Sequence, residues 1–185
     1  RAMWSNADFA EHVLGKAIAP GDNIISILPM AHMYGMAFEF LFEFIKGCHV
    51  FYLTRIPSPA IIAAAFADVK PRVIISVPLI IEKIIKKKVF PKLQDPRMRL
   101  LLKMPGLNKR IFERINEQVS KAFGGNFYEI IIGGAAFSQE VEQFLHRIGF
   151  RYTVGYGATE CAPIICYADY HDFVPGSCGK AVVHM

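Results

Sequence analysis

No stretch of this chain is long and apolar enough to cross a bilayer. The longest apolar run, residues 33–45, is interrupted by Glu39 and Glu43, and two carboxylates are costly in lipid. Cysteine is scarce: Cys48, Cys161, Cys166 and Cys178 form no CxxC pair and have no histidine at ligand spacing. That argues against a structural zinc site, and a core of this size does not demand disulfides. Two nucleotide-binding fingerprints are also missing. Nothing matches GxxxxGK[ST], and Gly133-Gly134 lacks the full spacing of a Rossmann turn. No signal peptide, internal repeat or low-complexity linker is visible, and the cytoplasm is the expected compartment.

What is present suits one globular domain: 185 residues, 53% hydrophobic and 20% charged. Arg1 falls within helix-like sequence and Met185 just after a predicted turn, so the chain is expected to be an undivided piece, 1–185, of a longer protein. The net charge of +5 is unevenly placed, because residues 82–121 hold twelve Lys/Arg against four acids. Solvated helix faces account for such a run, and so does an anionic partner such as a membrane surface or the phosphates of a cofactor. Nucleic acid is not expected, since only Phe90 and Phe112 supply aromatics there and no recognised module is present.

Five short β-branched runs, 23–28, 48–53, 72–77, 127–132 and 151–154, read as strands mostly buried on both faces. Helical patterns fill the gaps. Ser58-Pro59 is a helix start, and Ser138 followed by Glu140 and Glu142 places an N-cap and two acids at a helix N-terminus. Gly124-Gly125 and Gly149 sit where helices should stop. Leu107, Ile111, Ile115, Val119 and Ala122 repeat at helical spacing. Residues 34–45 are ambiguous because 38–44 alternate like a strand, but length and the four-residue spacing of Glu39 and Glu43 favour helix. The alternation implies an α/β fold, a mostly parallel sheet flanked by helices, with ligands expected at the carboxyl ends of the strands.

At those ends stand the residues that carry chemistry. Gly155-Tyr156-Gly157-Ala158-Thr159-Glu160 brackets an aromatic ring with glycines and adds a hydroxyl and a carboxylate. These parts suit a planar base, a phosphate oxygen and a hard cation such as Mg²⁺. Gly133-Gly134-Ala135 closes one strand, and Leu28-Pro29-Met30-Ala31-His32-Met33-Tyr34-Gly35 follows another. A lone histidine is more often a hydrogen-bonded structural residue than a catalytic one.

Taken together, and in this order, these loops resemble the adenylate-forming (AMP-binding) enzymes. The 155–160 string is similar to that family's YGxTE signature, 133–135 to its GGA loop, 175–180 to its GSxGK turn, and the stretch around His32 to P-x-x-H-x-x-G. Residues 70–83 resemble the KPT…VPRVxEK segment of long-chain fatty acyl-CoA synthetases, with Leu79 where many relatives have arginine. That departure puts any ion pair of the family arginine in doubt.

The resemblance implies part of an N-terminal domain that activates a carboxylic acid, in particular a long-chain fatty acid, with ATP and passes the acyl group to CoA. It implies that Gly133, Gly134, Ala135 and Tyr156, flanked by Gly155 and Gly157, hold adenine. It further implies that Thr159 donates to the α-phosphate, Glu160 holds Mg²⁺ and His32 lines the acyl pocket. The family's triphosphate loop would precede Arg1, and its ribose aspartate, hinge and adenylation lysine would follow Met185. Lys180 is not that lysine, and alone the stretch is expected to form no acyl adenylate. The competing readings are adenylation of an amino or aryl acid for a carrier protein, and a non-catalytic nucleotide-binding module.

Overall fold

Five of the β-branched runs become short strands: β1 (Asn23–Ser26), β2 (His49–Tyr52), β3 (Ile74–Ser76), β4 (Ile130–Ile132) and β5 (Tyr152–Val154). This is a computed structural model, and it describes residues 1–54, 58–93 and 107–182. The middle of the basic stretch, residues 94–106, lies outside the described residues. β1 and β2 pair in parallel, as do β3, β4 and β5, where Ser76, Ile132 and Val154 end in register. The amide of Arg72 donates to the Asn23 carbonyl (2.8 Å), so the two sheets abut in the spatial order 2-1-3-4-5.

Side chains alternate across these strands. Ile74, Ile130 and Ile132 join Ile25 in one core, whereas Ile75 and Ile131 join Ile24 in the other. The first core is covered by helices Pro59–Val69, 78–93, Leu107–Ala122 and Gln139–Arg147, the second by Ala2–Leu14 and 33–46. Central strands buried on both faces follow from this layering. β2 departs from the expectation, being largely exposed. It is an outer strand, and among the described residues nothing pairs with its far edge.

The ambiguous 33–46 segment is helical, but not regularly so. It runs as Met33–Gly35, a π-helical Met36–Leu41 and Phe42–Lys46. Ala37, Phe38 and Glu39 are consecutive and all buried, which one α-helical stripe cannot achieve; the wider turn makes it possible. Ser58 caps as expected, its Oγ accepting from the Ile61 amide (3.3 Å). Gly124, Gly125 and Gly149 close helices at positive φ. Ser138 corrects the expectation: it occupies the N-cap position, but its side chain makes no capping bond. Its amide donates instead to Glu82 Oε1 (2.9 Å), and Glu142 is buried.

Residues after β5 form an unexpected antiparallel ribbon of β6 (Tyr156–Gly157), β7 (Ile164–Tyr167) and β8 (Lys180–Ala181). Asn6 ties it to the first helix, donating to the Cys161 carbonyl (3.1 Å) and accepting from the Ile164 amide (2.9 Å). At the far end Glu129 accepts from the Tyr167 hydroxyl and from the Tyr170 amide (3.0 Å).

Glu43 is fully buried, and neither carboxylate oxygen has a hydrogen bond of ordinary geometry. Burial pushes its carboxyl up to about 8; the nearby Cys48 thiol offsets only part of that, and the charge of Glu39 adds to it. Below an ordinary pKa of 4.5 folded and unfolded chains both hold this proton. Between there and about 8 only the folded chain keeps it, so stability from this group is lost as pH rises. Glu43→Gln is therefore expected to melt progressively higher than wild type as pH goes from about 5 to about 9. Thermal melts across that range check the sign; a constant or shrinking difference contradicts it.

Candidate active site

The strand ends bring most of the expected residues together. His32, Gly133, Gly134, Gly155, Tyr156, Gly157 and Thr159 line one cavity of about 160 Å³. Sequence reasoning missed Tyr34, Ile131, Ala158, Pro163 and Ile164, which line it too. Tyr34 and Ala158 lay inside stretches already singled out for other residues, whereas Ile131, Pro163 and Ile164 carry no local signal. The two glycine turns are adjacent because Gly133 donates to the Ser76 carbonyl (3.0 Å) and Gly155 to the Ile132 carbonyl (2.9 Å). Gly134 adopts φ +86°, a conformation that glycine takes at little cost.

Ala135 and Glu160 are placed differently. Ala135 lines an adjoining hollow of about 450 Å³ that shares Gly134, Gly155, Tyr156 and Gly157 and ends at Gly176, Ser177 and Cys178. Tyr156, 54% exposed, thus borders both spaces and offers its ring to either. Glu160 follows Thr159 in a 3₁₀ turn, Thr159–Cys161, but lines a separate hollow of about 420 Å³ with Ala2, Ser5 and Val182. No group of three or more His, Cys, Asp or Glu among the described residues is arranged to hold a metal ion. A lone exposed carboxylate suits a hard cation whose remaining ligands are phosphate oxygens and water.

Three glutamates anchor the loops around the cavity and the adjoining hollow. Glu39 Oε1 accepts from the Ile27 amide (3.1 Å), while its Oε2 accepts from Ser26 Oγ (3.1 Å) and the Leu28 amide (2.9 Å). Glu82 takes the Ser138 amide at the end of the glycine loop. Glu142 Oε1 takes the Gly176 amide (3.0 Å). His32 accepts at Nδ1 from the Tyr34 amide (3.2 Å), which leaves Nε2 as the protonated nitrogen. His32 is therefore a hydrogen-bond donor in this arrangement. The Tyr34 hydroxyl donates to the Ile131 carbonyl (3.2 Å), locking this loop against β4. Burial, with the charges of Glu39 and Glu129 adding, raises the pKa of that phenol, so it stays neutral.

Residues 1–185 match the AMP-binding enzyme family. The chain belongs to that family. It is 26% identical over 186 residues to long-chain-fatty-acid–CoA ligase 4 of Saccharomyces cerevisiae, covering 89% of this chain and 26% of the relative. The chain thus spans about a quarter of the length of the curated relatives it matches. Its fold is similar to the N-terminal domain of FACL13 from Mycobacterium tuberculosis, with a TM-score of 0.68 and 16% identity over 98% of this chain and 38% of that one. A benzoate CoA ligase from Burkholderia xenovorans gives 0.67 and 21%, over 98% of this chain and 31% of its own. These structural likenesses establish the α/β fold expected of the family.

A side chain at position 157 has no room. A Cβ on Gly157 would stand 2.3 Å from the Pro163 carbonyl oxygen, and that oxygen already accepts from the Ala158 amide (2.8 Å). Backbone, not a flexible side chain, is in the way. Gly157→Ala is expected to cost about 2–4 kcal/mol, read as a lowered denaturation midpoint with unchanged slope. A midpoint equal to wild type would show that the turn can shift freely.

Proposed function

We propose that the protein bearing this chain activates a carboxylic acid with ATP, giving an acyl adenylate, and transfers the acyl group to CoA. The observation that carries this is one cavity joining His32, the 133–134 and 155–157 turns and Thr159 at the carboxyl ends of parallel strands. Family membership supports it.

The acid's carboxylate oxygen attacks the α-phosphorus, and pyrophosphate leaves. The thiol sulfur then attacks the acyl carbon, and AMP leaves. Both transition states gather negative charge on phosphate or carbonyl oxygens, so donors fixed beforehand do most of the work. His32 Nε2–H is a donor to the acid's carboxylate or to the oxygen bridging it to phosphate. The Thr159 hydroxyl serves the α-phosphate. Tyr156 lays its ring on adenine, with Gly133, Gly134 and Ala135 as the opposing wall and Gly155 and Gly157 allowing close approach. Glu160 lines the neighbouring hollow, but from the same turn as Thr159 it would hold Mg²⁺ at the edge of the phosphates, where the ion would supply charge stabilisation.

For the acid, likeness to the yeast long-chain-fatty-acid–CoA ligase supports a long aliphatic chain. A second reading, a short or aromatic acid, is supported by the likeness in fold to a benzoate CoA ligase. ATP–pyrophosphate exchange on the protein as encoded, with saturated acids of increasing length and with benzoate, decides between them.

The same assay tests the residues. Glu160→Gln and Thr159→Ala are each expected to lower exchange by about a hundredfold or more, while melting like wild type. Full exchange by a folded Glu160→Gln protein at saturating Mg²⁺ would remove the metal role. Failure of every acid to support exchange would remove the enzymatic reading altogether.

A further inference from the structure

Glu39 is 0% exposed and sits where β1 ends. The β1–β2 pairing stops at Ser26, so the Ile27 and Leu28 amides have no ladder partner. Glu39 takes both, together with the Ser26 hydroxyl, from the π-helical turn Met36–Leu41. Beyond this grip the chain bends through Pro29, whose carbonyl accepts from the His32 amide (2.9 Å). The helix start presses on the same bend: a Cβ on Gly35 would stand 2.9 Å from the Pro29 oxygen. His32 is then held at Nδ1 by the Tyr34 amide, with its ring on the cavity. One buried carboxylate therefore fixes the segment that presents the histidine.

We propose that Glu39 is a positioning residue for acid activation, acting through His32 by holding residues 26–32 in place. This rests on the reading of the cavity as a carboxylate-activating site. Glu39 does not line the cavity, so its influence is through the loop alone. Its surroundings sharpen the case. Glu43 lies one turn along the same helix, Tyr34 on the segment before it and Tyr52 on β2, and no basic side chain among the described residues pairs with it. Burial pushes the Glu39 carboxyl up to about 7, against the pull of the Ile27, Leu28 and Ser26 bonds. All three donors are satisfied best by the ionised form, so the grip tightens as pH rises through about 7.

The test compares wild type, Glu39→Gln, His32→Ala and the double variant of the protein as encoded. Exchange kinetics are followed from about pH 6 to about pH 9. The amide is isosteric but presents an NH₂ in place of one of the two accepting oxygens. Glu39→Gln is expected to lower kcat/KM for the acid about tenfold or more. KM for ATP should change little, and the rise of rate through neutral pH should flatten. The double variant should be no worse than His32→Ala, because the two losses share one route. Losses that multiply, or an acidic limb that survives in Glu39→Gln, would overturn the proposal. A fall in every parameter together, tracking a lower melting temperature, would mean a purely structural role.

A readout without catalysis separates this inference from the functional reading. In histidine-labelled protein, NMR of the His32 ring is expected to shift or broaden in Glu39→Gln, with His171, packed near Tyr128 just before β4 at the opposite end of the strands, unmoved. Superimposable His32 signals overturn the positioning role even if the enzyme is active. Absence of exchange in wild type, with the His32 shift present, discards the functional reading and leaves the anchoring intact.

Discussion

In-register pairing of β3, β4 and β5 is the constraint on which the cleft depends. Because Ser76, Ile132 and Val154 end at one level, the turns that follow β4 and β5 leave the sheet side by side. Slipping one strand by a residue would exchange its two faces and bury neither core correctly. Isoleucine at 74, 75, 130, 131 and 132 makes such a slip costly, since each face needs its own apolar complement. The level ending, not any single loop, is what turns separate glycine turns into one surface.

Upon that frame the loops are held by carboxylates from helices. Glu39 grips 26–28, Glu82 the amide of Ser138, and Glu142 the amide of Gly176. Each satisfies backbone donors left over where a strand, helix or turn begins or ends. Ionised acceptors make stronger bonds to amides than neutral ones, so a loop without regular structure gains definition from a single side chain. Burial raises the cost of the charge, most for Glu39, which takes three donors in return.

Much of this was legible in the sequence. β-branched runs marked the five parallel strands, and ordered glycine loops with His32 marked the cleft. The rest depended on long-range contacts. Glu39 and Glu43 fell in a run whose alternation mixes strand and helix periods, because a π turn buries three consecutive residues. Ser138 looked like a cap because its type and place fit, yet its side chain makes no capping bond, and its own amide is held by Glu82, 56 residues earlier. The ribbon β6–β8 was missed because two of its strands are only two residues long. Glu160 was read beside Thr159, but a 3₁₀ turn sends neighbouring side chains in different directions, and it faces a different hollow.

The outer strand β2 has a practical consequence. Phe51 and Tyr52 are exposed on it, and Phe44, 71% exposed, stacks with Phe40 on the adjoining helix. An unpaired edge carrying aromatic residues is a template for adding another strand. Among the described residues that edge is open, so it is the part of this stretch most exposed to strand addition by a second copy. Lysine at position 51 would blunt the edge and raise solubility without touching the cleft.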